Sequence, residues 1–275
     1  MNRLQGPLRS RLQAALGLAL LCAACGAAGP QPPAAQARLE DASQRGASQA
    51  RAGDNAGAAR RYEEALRIAR SLDDADGEAV NSINLSIVYQ RMGRVADARA
   101  ALAPVLSDPR RAFSETRRLQ AELRMAIMDL AARDTGGAAS WAKRARERCQ
   151  ALDCAQTSAI LNVQAQAALE SGRPAEAITL ANAAADRARG QDDYSEYANA
   201  LRIVGRARGA LGDAPAAVQA LEKALEIDRE LADPRKIMAD LLELAHASLA
   251  AGNKQAARNY QERAAAINRA LRDEK

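Results

Sequence analysis

Few residues in this chain have the type and spacing that chemistry requires. There is one histidine, His246. With a single imidazole, paired-His metal sites are excluded, and most His-dependent catalysis lacks its residues. The four cysteines fall into two pairs, Cys22 with Cys25 and Cys149 with Cys154. The second pair stands five residues apart in CQALDC. Such a pair either bridges a turn as a disulfide, which needs Cα atoms within about 4.4–6.8 Å, or remains as two half-buried thiols. No histidine or further cysteine accompanies it, so neither a metal nor a redox centre is expected there. The chain carries no P-loop, no dinucleotide fingerprint and no zinc-type cysteine set. Acidic pairs such as Glu63-Glu64 read as solvated helix charges. The expectation is therefore no enzyme, no catalytic residue, no metal and no cofactor.

The elements around these residues are helical. Hydrophobic residues make up 48% of the 275 positions, yet aromatics only 3%. Alanine supplies much of the apolar fraction; it is the best helix former and is small enough to let helices approach closely. β-branched runs are scarce, which argues against sheet. One Phe and one Trp would leave a large single core short of bulky anchors, whereas thin stacked helical layers need fewer. The formal charge is +5, and setting aside Arg3, Arg9 and Arg11 of the opening segment lowers it to +2. The remaining charges are interspersed along helices, so no nucleic-acid partner is expected.

Residues 1–13 are short and basic, and Ala14–Ala24 (AALGLALLCAA) is apolar. A basic segment, an apolar run of about 7–15 residues and small residues at a cleavage point describe an export signal. The run is shorter than the ~20 residues that span a bilayer. Leu21-Cys22-Ala23-Ala24-Cys25 resembles a bacterial lipobox. That resemblance implies removal of residues 1–24, lipid attachment at Cys25, a flexible Pro/Gln-rich tether over residues 25–38 and, with Gly26 following, an outer-membrane address facing the periplasm. Cys22 stands where the family usually has Leu. The alternative is an ordinary signal cut near Ala24 or Ala28 and a soluble periplasmic product.

Beyond the tether the chain repeats. Gly53, Gly93, Gly172, Gly212 and Gly252 follow one another at 40, 79, 40 and 40 residues. The long interval hides a degenerate turn near Arg133–Gly137. Five residues after each glycine stands Ala58, Ala98, Ala177, Ala217 or Ala257, with Ala138 in the degenerate unit. Seven residues further come Ala65, Val105, Ala145, Ala184, Ala224 and Ala264. Residues seven apart share a helix face, so each glycine reads as the turn of a helical hairpin whose second helix packs through small residues. Asp73-Asp74, Asp108-Pro109, Asp192-Asp193 and Asp233-Pro234 punctuate the units.

This pattern resembles the tetratricopeptide repeat. Unit two carries Leu85, Ser86, Tyr89, Gly93 and Ala98; unit one Gly46, Gly53, Ala58, Tyr62 and Ala65; unit five Val204, Gly205, Gly212, Ala217, Leu221 and Ala224. The period of 40 is longer than usual and is similar to the longer repeats of kinesin light chains and bacterial helical regulators. The resemblance implies an all-α, right-handed solenoid of about six helix pairs over residues 39–275, with units at about 39–77, 78–113, 114–153, 154–192, 193–233 and 234–275. It also implies a concave groove lined by first helices. The groove residues carried over are Asn84, Ile87, Arg91, Arg124, Asn162, Gln166, Asn199, Arg202, Arg206, Glu243 and His246. Asn can bond a peptide backbone through donor and acceptor together, and Arg can grip a carboxylate bidentately. The expected partner is a protein or peptide segment with an acidic feature near Arg124, Asn162, Arg202 and Arg206; otherwise these are solvated polar residues. The functional expectation is a non-enzymatic adaptor tethered to the cell envelope, its only membrane contact a lipid anchor. The alternative is a soluble periplasmic or self-associating regulatory domain without a peptide ligand.

Overall fold

The computed structural model describes residues 33–152 and 154–273. The export signal, Cys22, Cys25 and the start of the expected tether lie outside the described residues. Among the described residues twelve α-helices follow one another: α1 Ala34–Arg51, α2 Asn55–Ser71, α3 Ala75–Arg91, α4 Val95–Ser107, α5 Glu115–Ala131, α6 Thr135–Leu152, α7 Thr157–Glu170, α8 Pro174–Arg189, α9 Tyr194–Ala210, α10 Ala214–Glu230, α11 Pro234–Ala250 and α12 Lys254–Asp273. No strand occurs among the described residues. Each helix packs on the next, and each odd-numbered helix also touches the following odd one; even-numbered helices do not touch one another. The chain is thus an all-α solenoid of tetratricopeptide type, six helix pairs deep, with first helices on its inner wall and second helices spread outside.

The turn chemistry explains the repeat. Gly53, Gly93, Gly172, Gly212 and Gly252 all have φ between 76° and 83°, a left-handed conformation that glycine adopts without a Cβ clash. The backbone then closes each first helix. For example, the Asp54 N–H donates to the Gln49 carbonyl at 3.0 Å, as in a Schellman end. The next residue starts the following helix: the Asp54 carboxylate accepts from the Gly57 N–H at 2.8 Å. Asp74, Asp134, Asp193, Asp213 and Asp233 cap their helices in the same way, each cap contributing about 1 kcal/mol.

The structure corrects two boundaries. The degenerate third turn is not made by its glycines. Arg133 takes the left-handed position, at φ 61°, and Gly136 and Gly137 lie inside the first turn of α6. The tether also ends sooner than residue 38. Helix α1 begins at Ala34, because AAQARLE is made of strong helix formers and Leu39 and Ala42 bury against Ala65 and Ala69.

The small residues do what their spacing requires. Ala58, Ala98, Ala138, Ala177 and Ala217 are fully buried, as are Ala65, Val105, Ala145, Ala184 and Ala224. A larger side chain there would push the two helices of a pair apart. At Gly205 the approach is tighter still: a Cβ would lie 2.6 Å from Leu221 Cγ and 3.1 Å from the Ala217 carbonyl. Trp141 is half-buried between the clusters of units two to four. Tyr197 is buried, whereas Tyr194 is exposed. Glu63 is not purely solvated, since it accepts the Tyr89 hydroxyl at 2.6 Å.

Two junctions are irregular. Between α4 and α5, residues 108–114 replace the tight turn; Phe113 is buried there, and Arg111 reaches back to Asp73 and to Glu78, the latter at 2.8 Å. Between α6 and α7 the helix stops at Leu152, so Cys149 and Cys154 meet across a turn. They form a disulfide with Cα atoms 5.0 Å apart.

Candidate binding groove

The residues expected to line the groove divide into three groups, with Arg124 standing apart. Asn162, Gln166, Asn199, Arg202 and Arg206 come together on α7 and α9 around a depression of about 250 Å3, whose apolar floor includes Ile127, Leu130, Val163 and Ile203. Asn84, Ile87 and Arg91 line a separate, larger cleft of about 790 Å3 with Arg51 and Tyr62. Glu243 and His246 stand on α11, where His246 is exposed and makes no hydrogen bond to any described residue.

Several of these groups are already engaged within the fold. Arg202 lines the depression, yet its guanidinium is committed to partners within the fold. It donates to Asp240 through Nε and to Asp228 through Nη2, and both carboxylates are fully buried. Its Nη1 bonds Asn199 Oδ1 at 3.0 Å. Arg202 therefore bolts α9 to α10 and α11. Arg206 and Glu243 face each other at 3.3 Å, so two expected ligand contacts are instead an ion pair between units five and six. Asn162 is buried and donates to the carbonyl and carboxylate of Glu196 at 2.9 and 2.8 Å. Its Oδ1 is buried without a partner among the described residues. Gln166 bonds Glu170 on its own helix.

Arg124 is different. It belongs to α5, and its one hydrogen bond among the described residues runs from Nη2 to Gln90 Oε1 of α3. Its Nε is buried without a partner. No described carboxylate pairs with it, and the charge that acts on it is another cation, Arg91. Burial, and then repulsion from Arg91, push the guanidinium down to about 10, well below the ordinary arginine range. The neighbouring Arg91 is exposed and only brushes the Ala50 carbonyl at 3.3 Å. Elsewhere the buried charges are paired: Glu122 with Arg144 and Arg148, Asp129 with Arg99, Glu78 with Arg70 and Arg111. An uncompensated buried charge destabilises a fold and marks a candidate site.

Spacing alone did not reveal Arg51, Gln90, Asp228 or Asp240. Two of them carried a signal. Asp228 stands at the repeat position held by Ala69, Cys149 and Ala188, and Asp240 at that of Ala121, Ile160 and Ala200, with the buried Asn81 in unit two. An acid where other units bury an apolar side chain announces an internal partner. Among the described residues no group of three or more His, Cys, Asp or Glu could hold a metal ion. No described helix is long and apolar enough to cross a membrane.

A hairpin solenoid with a polar inner wall is the architecture of an interaction scaffold. Residues 156–230 match the tetratricopeptide repeat family. No curated protein sequence is matched. Similar solved structures include BtubC (BKLC) from P. vanneervenii, 18% identical over 88% of this chain and 93% of that one, with a TM-score of 0.60. A Rap protein complexed with Competence and Sporulation Factor is 14% identical over 85% of this chain and 76% of its own, with a TM-score of 0.64. Aspartyl phosphate phosphatase F from Bacillus subtilis is 12% identical over 85% and 71%, with a TM-score of 0.63. At these identities the likeness is one of fold.

Proposed function

We propose that this protein is a non-enzymatic adaptor whose concave face holds an acidic, extended segment of a partner protein, and that Cys25 carries a lipid anchoring it to the bacterial envelope, facing the periplasm. Arg124 carries the first part: a half-buried guanidinium on the inner wall, its Nε buried and unpartnered, with no described carboxylate and a second arginine beside it, lacks the anion that a partner would bring. The depression over Ile127, Leu130 and Val163 supplies an adjoining apolar floor. The Rap neighbour, solved as a complex with Competence and Sporulation Factor, supports the use of this fold to hold a partner. The lipobox-like residues motivate the anchor.

Selection of dodecapeptides displayed on phage against the purified chain tests the groove. The enriched consensus should place Asp or Glu beside aliphatic residues, and Arg124→Met should weaken its binding at least tenfold while raising the melting temperature of the empty protein. A consensus without acids, or unchanged affinity in Arg124→Met, would sink the reading. For the anchor, intact mass and membrane fractionation are compared with Cys25→Ala. A chain beginning at Cys25 with added acyl mass, released by the substitution, is expected; an unmodified soluble product ends the lipoprotein assignment.

A further inference from the structure

The larger cleft, of about 790 Å3, is built from both ends of the described chain. One wall is formed by units one and two through Arg51, Ile87 and Arg91; the facing wall is the α10–α11 turn and the last helix, through Pro234, Arg235 and Leu271. These walls are more than 140 residues apart in sequence. No helix of units one and two packs against a helix of units five and six. Only the stacking of the intervening pairs therefore sets the gap, and in a solenoid each pair answers only to its neighbours.

The lining specifies what fits. Arg51, Arg91 and Arg235 make no ion pair with any described residue, and the charge of Arg91 is felt at Arg124. The two acids at the rim are already engaged in capping. Asp54 accepts the Gly57 N–H at 2.8 Å, and Asp233 accepts the N–H groups of Arg235 and Lys236 at 3.1 and 3.2 Å. Ile87, Val88, Pro234 and Leu271 add apolar surface on both sides. The complementary occupant is a polypeptide segment with a carboxylate flanked by aliphatic side chains. The volume falls within the roughly 300–1,000 Å3 of ligand sites.

We infer that this cleft is a two-walled site in which one acidic segment of a partner protein is gripped by the first two units and the last unit together, so that occupancy fixes the curvature of the solenoid. The inference rests on the reading of the concave face as the binding surface and adds that the far end of the chain takes part. Binding energy then flows into the spacing between the ends, and a partner that fills the cleft changes the shape of the protein.

The test uses the full chain and a fluorescein-labelled copy of the phage-selected dodecapeptide. Arg91→Glu on one wall, and Arg235→Glu and Leu271→Asp on the other, should each weaken binding at least tenfold. Far-UV circular dichroism and melting temperature confirm that each variant is folded; a Glu at the start of α11 suits the helix dipole. Donor and acceptor dyes at the exposed positions Ser48 and Asn268 should show a shifted and narrowed transfer efficiency at saturating peptide. Binding lost in Arg91→Glu but indifferent to Arg235→Glu and Leu271→Asp, with unchanged transfer, would overturn the two-walled site and leave the groove reading standing. Binding indifferent to all three substitutions and to Arg124→Met overturns both.

Discussion

The Arg202 cluster makes a sharp prediction about pH. Two fully buried carboxylates, Asp228 and Asp240, share one guanidinium. Asp228 Oδ1 and Asp240 Oδ2 are buried with no partner among the described residues. Burial is the largest influence on Asp240; the hydrogen bond and charge of Arg202 work against it and Asp228 works with it, and the carboxyl is pushed from 3.8 up to about 6. At about 1.4 kcal/mol per pH unit, this corresponds to no more than about 3 kcal/mol. The folded protein holds the Asp240 proton more tightly than the unfolded chain does. The contribution is therefore complete below about pH 4 and is lost as the pH climbs through about 6. Stability should fall between about pH 4 and 7, read by urea denaturation and by amide exchange in α9–α11. Asp240→Asn keeps an acceptor for Arg202 and adds an N–H donor facing Asp228. It should flatten the profile and stabilise the protein at pH 8 by about 1–3 kcal/mol, or about 2–4 °C in melting temperature for each kcal/mol. Arg202→Met, which strands two buried carboxylates, should cost about 3–5 kcal/mol at the same pH. An Asp240→Asn protein that is less stable at pH 8, or whose pH profile keeps its slope, would refute the reasoning.

Three further outcomes follow from the fold. Arg133→Gly relieves a left-handed arginine and should raise stability by about 0.5–1 kcal/mol; a lower denaturation midpoint would show that the Arg133 side chain matters more than its backbone. Gly205→Ala drives a methyl into Leu221 and the Ala217 carbonyl, and should destabilise by about 1–3 kcal/mol despite the better helix propensity of alanine; a stabilised variant would contradict the close approach of α9 and α10. Reducing the Cys149–Cys154 disulfide opens a short loop and should lower stability by about 2 kcal/mol, with exchange rising first in the last turn of α6; melts that coincide with and without reductant would show that the bridge contributes nothing.

Much of the fold was legible because it rests on local rules repeated at a fixed interval. The glycine-plus-cap turn and the small residues five and twelve positions later define a hairpin without reference to anything distant. Even the irregular third unit kept its phase through Ala138 and Ala145, although the residue at its turn proved to be Arg133. The family resemblance marks inner-wall positions but does not distinguish an arginine facing solvent from one engaged within its own stack.

That distinction depends on partners about 26 to 40 residues away. Arg202 met Asp228 on the second helix of its own pair, and Arg202 and Arg206 met Asp240 and Glu243 because adjacent units bring their first helices together at an offset of one repeat. Arg124 found only Gln90 and Arg91. The sequence by itself determined the helices, their pairing and the phase of the repeat, since each follows from backbone conformation and side-chain size over a few turns. Tertiary structure alone decided which charges are neutralised, and that the first and last units face each other across one cleft. Charge compensation and curvature are sums over successive layers, and no single repeat contains them.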